Sequence, residues 1–132
     1  MNNFIFENPT KIIFGKGQIA RISNEIPANA KVLITYGGGS VKRTGVLDEV
    51  KAALEGYNLT EFGGIEPNPS YETLIKAIEL VHTNQIDYLL AVGGGSVIDG
   101  TKFIAAGAVY DGDPWEILIR RGRGIDKALP LG

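Results

Sequence analysis

Cysteine is absent from the 132-residue chain, which excludes disulfides and thiolate-held metals. Histidine occurs once, as His82, late in an expected helix where a partly positive ring suits the helix dipole; no metal site is expected there. No apolar run approaches the ~18 residues that a membrane span requires. Met1-Asn2-Asn3-Phe4 lacks the basic start of a signal peptide, so the expected location is cytoplasmic. Neither sign of charge is in excess: 13 Lys and Arg stand against 15 Asp and Glu, a net charge of -2, so nucleic acid is not an expected partner. Linkers and low-complexity stretches are missing too. With 44% hydrophobic residues, residues 1–132 are expected to fold as one domain around one core, serving a small molecule.

What is present is an alternation of strand-like and helix-like segments. Phe4 to Phe6 and Lys11 to Phe14 read as short strands around the turn Glu7-Asn8-Pro9-Thr10. Gly17 to Glu25 carries Ile19, Ile22 and Ile26 at helical spacing and stops at Pro27. Lys31 to Tyr36 is a run of β-formers, and Val46, Leu47, Val50, Ala53 and Leu54 line one helical face up to Gly56. Asn58 to Phe62 reads as the next strand, followed by an irregular Gly- and Pro-rich loop. Ser70 is a good N-cap for a helix to about Thr83. Asp87 to Val92, without a polar residue after its first, fits a central parallel strand, and a helix follows from Ser96 to about Ala108. Beyond it come a turn at Asp111 to Pro114, a helical turn at Trp115 to Ile119, a basic glycine loop at Arg120 to Gly124 and a strand at Lys127 to Leu131. Trp115 could stack on another group, but following a proline it is expected to pack at a sheet edge. This order predicts an α/β fold: a largely parallel, Rossmann-like sheet flanked by helices, with ligands beyond the carboxyl ends of the strands.

Two glycine turns fall at that edge. GGGSV occurs at Gly37 to Val41 and again at Gly93 to Val97, the only internal repeat. A helix N-terminus presents unpaired N–H groups and about half a positive charge, so a phosphate is stabilised there if no side chain blocks it. Gly93, Gly94 and Gly95 remove the block. Ser96 is placed to cap the helix, with Asp99 as its capping-box partner. Asp99 and Lys102 also stand three apart, the spacing of a helical ion pair. The plain alternative for either GGG is a tight turn. The G-x-G-x-x-G fingerprint is not met, since Ile98 stands where its third glycine belongs, and Thr101-Lys102 reverses the order a Walker loop needs.

GGGSVIDGTK, the upstream GGGSV and the intervening GGIEPNPS together resemble the N-terminal domain of iron-containing (group III) alcohol dehydrogenases. The likeness is strongest to the NADPH-dependent aldehyde reductase and butanol dehydrogenase branch, and runs from FGKG at Phe14 to Gly17 through KALPLG. The resemblance implies a dehydroquinate synthase-like cofactor-binding domain. It further implies a separate helical domain, absent from these residues, that supplies one Asp and three His to a divalent iron or zinc. The positions matching Gly38, Ser40 and Asn68, with Gly39 beside them, would hold a 2′-phosphorylated ribose. Those matching Gly95 and Ser96, with Gly94 beside them, would hold the pyrophosphate, and Asp99 would lie toward the nicotinamide.

The first turn bears on which coenzyme is used. NAD-binding sheets generally place a carboxylate near the adenosine ribose, where it would repel a 2′-phosphate. Gly37-Gly38-Gly39-Ser40 carries none, and Lys42 and Arg43 follow, so NADP is the expected coenzyme. Asn68, set between two prolines, offers a rigidly placed amide donor, or else merely satisfies its own loop. The resemblance implies that the whole protein reduces small aldehydes to alcohols with NADPH. The chain alone, without metal or catalytic residues, is expected to be inactive, and a homodimer through the N-terminal strands is allowed. A stand-alone nucleotide-binding or assembly module is the alternative of another class. A relative of dehydroquinate synthase or glycerol phosphate dehydrogenase fits the GGGSVIDGTK motif less well.

Overall fold

The computed structural model describes residues 10–119, 125 and 127–132. The strand at Phe4 to Phe6, the turn at Glu7 to Pro9 and the loop at Arg120 to Gly124 lie outside the described residues. Lys31–Tyr36 (β1) is buried at every position after Lys31, as a strand of apolar and β-branched residues covered on both faces must be. It pairs in parallel with Asn58–Phe62 (β2) and with Tyr88–Val92 (β3), giving the order β2-β1-β3. Asp87 lies just outside β3. Its carboxylate accepts the Lys31 N–H at 2.8 Å, fixing where β1 begins.

Alternation along β1 assigns the two layers. Val32, Ile34 and Tyr36 pack with Val41, Leu47, Val50 and Leu54, from the short helix Ser40–Arg43 (α1), the helix Val46–Ala53 (α2) and the residue that ends it. Leu33 faces the other way, into a core with Leu74 and Ile78 of Tyr71–Asn84 (α3), Leu89 of β3 and Ile104 of Gly95–Gly107 (α4). Two glycines set how closely α3 and α4 approach. A methyl group at Gly107 would come 2.6 Å from Ile78 Cδ1, and one at Gly100 would come 3.2 Å from Leu74 Cδ2.

Several expectations are corrected. Gln18–Asn24 is a 3₁₀ helix rather than an α-helix; three residues per turn place Ile19 and Ile22 in one row against the core, and no residue of it is fully buried. Lys11 to Phe14 forms no strand among the described residues. A strand needs a ladder partner, and Ile12 and Phe14 are instead 81% and 96% exposed. Lys127 to Leu131 reduces to a single parallel bridge, Leu89 to Leu131, because Pro130 has no N–H to donate; Leu89 N–H bonds the Pro130 carbonyl and Ala91 N–H that of Gly132. Trp115, on Trp115–Ile119 (α5), meets no sheet edge. It stacks edge-to-face on Tyr71 of α3 at 5.0 Å, because Asp113 both accepts the Trp115 N–H and takes the Tyr71 hydroxyl. His82 Nε2 lies 2.7 Å from the Ala108 carbonyl, joining the ends of α3 and α4.

Beneath the glycine turns sits a buried polar contact between layers. Thr35 Oγ1 and Thr101 Oγ1 are 2.6 Å apart, and Thr101 also donates to the Val97 carbonyl. Both side chains are fully buried. Thr101→Val leaves the Thr35 hydroxyl with only the Leu90 carbonyl at 3.5 Å, so a loss of about 1–3 kcal/mol is expected in urea unfolding. Replacing both threonines by valine should recover most of that loss, since no hydroxyl then stays buried without a partner.

Candidate functional site

The three strands end together, and the loops that leave them converge on Gly37. Gly64 N–H donates to the Gly37 carbonyl at 2.9 Å and Ile65 N–H to that of Tyr36 at 3.2 Å, tying the loop after β2 to the turn after β1. Val97 lies between the two GGG turns. A methyl at Gly37 would stand 3.5 Å from Val97 Cγ2, and one at Gly93 only 2.9 Å from it. The repeated GGGSV segments are therefore neighbours, as the sequence implied.

The glycines divide into those the fold requires and those it does not. Gly93 has Val97 against it, Gly39 has a left-handed φ of 109°, and a methyl at Gly63 would enter the Tyr36 ring. Gly38, Gly94 and Gly95 are different. None has a left-handed φ, and a methyl on any of them would find no heavy atom of the described residues within 4 Å. Neither conformation nor packing among the described residues calls for glycine at these three positions. What their bareness leaves is backbone open to a ligand.

α4 begins at Gly95 with Gly94 as its N-cap, and no side chain caps it. Ser96 is therefore not the cap, and no Ser96–Asp99 capping box forms. The helix starts two residues earlier than that motif needs, so Ser96 already lies in the first turn. Ile98 N–H is the first to close on Gly94, leaving the amides of Gly95, Ser96 and Val97 without intrahelical acceptors. An uncapped thirteen-residue helix behind two bare glycines can bind an anion. Asp99 is exposed one turn farther on, and the Asp99–Lys102 ion pair is not formed; the ion pairs among the described residues are Lys11–Glu25 and Lys51–Glu61.

Ser40 opens α1 and is exposed. Lys42 lies 5.1 Å from the Tyr36 ring centroid, a cation–π distance. Asn68 is exposed on the loop between β2 and α3 with φ 51°, a left-handed conformation that asparagine tolerates. The structure thus brings Gly38, Gly39, Ser40, Gly94, Gly95 and Ser96 to adjoining loop tips, with Asn68 on the loop bonded to the first of them.

Two carboxylates near the site were not apparent in the sequence. Glu61 accepts from Lys51 at 3.0 Å and from the Tyr36 hydroxyl at 3.3 Å. The Lys51 hydrogen bond foremost holds its pKa below the usual carboxylate value. Glu66 accepts from Ser70 N–H at 2.6 Å and from the Thr73 hydroxyl, and the Ser70 amide foremost depresses its pKa as well. Their position near the ends of β2 was the available signal; their partners, four to twenty-five residues away, were not visible. Since both are depressed in the folded chain, the stability they contribute is present above their ordinary value of 4.5 and is lost as pH falls through the folded values. Urea midpoints measured from pH 7 to 3 should fall below about pH 4.5, and less steeply in Glu66→Gln.

A cavity of about 1000 Å³ lies elsewhere, between Phe14, Ile19, Ile22, Tyr88, Leu90 and Ile98. None of the bare glycines lines it. No helix among the described residues is long and apolar enough to cross a membrane, and no group of three or more His, Cys, Asp or Glu among them is arranged to hold a metal.

Comparison with known families places these turns. The family profile for iron-containing alcohol dehydrogenase matches residues 9–132, with both glycine turns inside the match. The chain belongs to this family. It is 60% identical over 134 residues to the NADPH-dependent aldehyde reductase YqhD of Escherichia coli, covering all of this chain and 35% of that protein. It is 50% identical over 135 residues to a probable NADH-dependent butanol dehydrogenase of Bacillus subtilis, again covering 100% of this chain and 35% of the relative. The substrate- and cofactor-free structure of YqhD superposes with a TM-score of 0.96 over 99% of this chain and 35% of that one. NADH-dependent butanol dehydrogenase A from Thermotoga maritima superposes at 0.92, with 45% identity, over 99% of this chain and 34% of its own. The α/β Rossmann-like architecture is that of the family, and the chain spans about a third of the length of these relatives.

Proposed function

We propose that residues 1–132 form the NADP(H)-binding part of a metal-dependent alcohol dehydrogenase that interconverts small aldehydes and alcohols. The observation that carries this reading is the set of three glycines, Gly38, Gly94 and Gly95, at which a side chain would fit the fold yet none is present. The Gly94, Gly95 and Ser96 backbone holds the pyrophosphate, with the free amides of Gly95 and Ser96 as donors. Gly38, Gly39, Ser40 and Asn68 take the 2′-phosphorylated ribose, and Asp99 stands toward the nicotinamide end.

NADPH is favoured over NADH because the first turn presents amides and a hydroxyl without a carboxylate, and because the one carboxylate bonded to Tyr36 is neutralised by Lys51. Relatives named for either coenzyme occur, so the preference is drawn from these residues rather than from the family. Once bound, the coenzyme supplies hydride to the carbonyl carbon. This chain's residues bind and orient it; the described residues do not fit a metal, and no step through one is assigned to them.

Titration of the purified chain with NADPH and NADH, followed by nicotinamide fluorescence, tests the reading. Tighter binding of NADPH is expected, and equal affinities would remove the argument from the first turn. Turnover of a short aldehyde by the chain alone is not expected. Its appearance would show that these residues do more than bind.

A further inference from the structure

The loop that carries Asn68 is closed by one carboxylate. Pro67 and Pro69 have no N–H, so the segment from Glu66 to Ser70 has few backbone donors with which to hold its shape. Glu66 Oε1 accepts the Ser70 N–H at 2.6 Å and so encloses Pro67, Asn68 and Pro69 in a ring. The Thr73 hydroxyl donates to both oxygens of the same carboxylate, at 2.9 and 3.2 Å. Ile65, 2% exposed, anchors one side of the ring. Pro69 anchors the other, against Gly100 of α4, where a methyl would lie 3.4 Å from its Cγ. Asn68 is left at the apex, with φ 51° and its side chain at the surface.

We propose that Glu66 is a positioning residue: by closing this ring it presents the Asn68 amide to the 2′-phosphate end of the coenzyme and thereby sets the preference for NADPH. The inference rests on the assignment of Asn68 in the preceding subsection. Its physical content is preorganisation, since a donor already fixed in place does not have to be ordered when the ligand arrives. Charge acts in the opposite direction. A carboxylate near a phosphate repels it, so if Glu66 acted on the ligand only through its charge, removing it would strengthen NADPH binding. The two roles therefore differ in sign.

The test compares Glu66→Ala, Glu66→Gln, Asn68→Ala and the Glu66→Ala/Asn68→Ala pair in the 132-residue chain, titrated with NADPH and NADH, with thermal unfolding recorded for each. Glu66→Ala is expected to lower the NADPH-to-NADH affinity ratio by about tenfold, the scale of one charge-assisted hydrogen bond. Glu66→Gln keeps an acceptor for Ser70 without the charge and should restore the ratio to within about threefold of wild type. In the double variant, loss of Glu66 should add nothing to loss of Asn68. An unchanged or raised ratio in Glu66→Ala, additive losses in the pair, or a ratio that follows thermal stability across the set would overturn the positioning role. A wild-type chain with no preference would instead overturn the reading beneath it, and this proposal with it; a preference retained in Glu66→Ala overturns this proposal alone.

Discussion

Replacing Gly95 with leucine is expected to weaken NADPH binding by about two orders of magnitude while leaving thermal stability unchanged or slightly raised. Losing one or two hydrogen bonds to a charged phosphate costs about 1.5–3 kcal/mol each, and each 1.4 kcal/mol is a factor of ten in affinity. The fold gives no reason for loss of stability. Gly95 lies within α4 at a φ outside the left-handed region, with open space where a Cβ would go. A side chain there also restricts the unfolded chain, which stabilises by about 0.4–1 kcal/mol when the native conformation suits it. Gly93→Ala provides the contrast. Its methyl would press on Val97 at 2.9 Å, so a destabilisation of about 1–3 kcal/mol is expected. Calorimetry and coenzyme titration of the two variants separate a glycine retained for a ligand from one retained for packing. Equal stability losses at both positions would mean that the distinction between them is mistaken.

The second large effect concerns coenzyme choice. Ser40→Asp should lower the NADPH-to-NADH affinity ratio by about a hundredfold, because a carboxylate there repels the 2′-phosphate and can accept the 2′-hydroxyl that NADH offers in its place. Ser40 is exposed at the start of α1, where an acidic side chain suits the backbone, so folding should be unaffected. The effect should shrink as salt is raised, as expected of a charge at the surface. A ratio insensitive to this substitution would mean that the ribose phosphate is read elsewhere.

The parts of the fold that were legible were those set by local chemistry. β1 and β2 end where the sequence implied, because runs of β-formers stop at residues that favour turns. α3 begins behind Ser70, whose hydroxyl accepts the Thr73 N–H as an N-cap should. Ser96 misled for an instructive reason. A serine after glycines satisfies the rule for a cap, but the helix already begins one residue before it, at Gly95, which leaves the amides free. The Thr35–Thr101 contact joins residues 66 apart in sequence, and no pattern announces such a pair before the layers are stacked. Glu66 was invisible in another way. Its partner Ser70 is close in sequence, but a carboxylate closing a proline-flanked ring looks like any loop acid until the bond is seen.

Coenzyme binding as proposed requires the two GGGSV turns to act as one site. An amide NMR titration of the 15N-labelled chain with NADPH reports each turn separately. The expected result is that Gly38 to Ser40 and Gly94 to Ser96 shift together, with a single dissociation constant, while amides in the 3₁₀ helix and α2 stay still. Saturation with NADPH that moves only one turn, or moves neither, would contradict it.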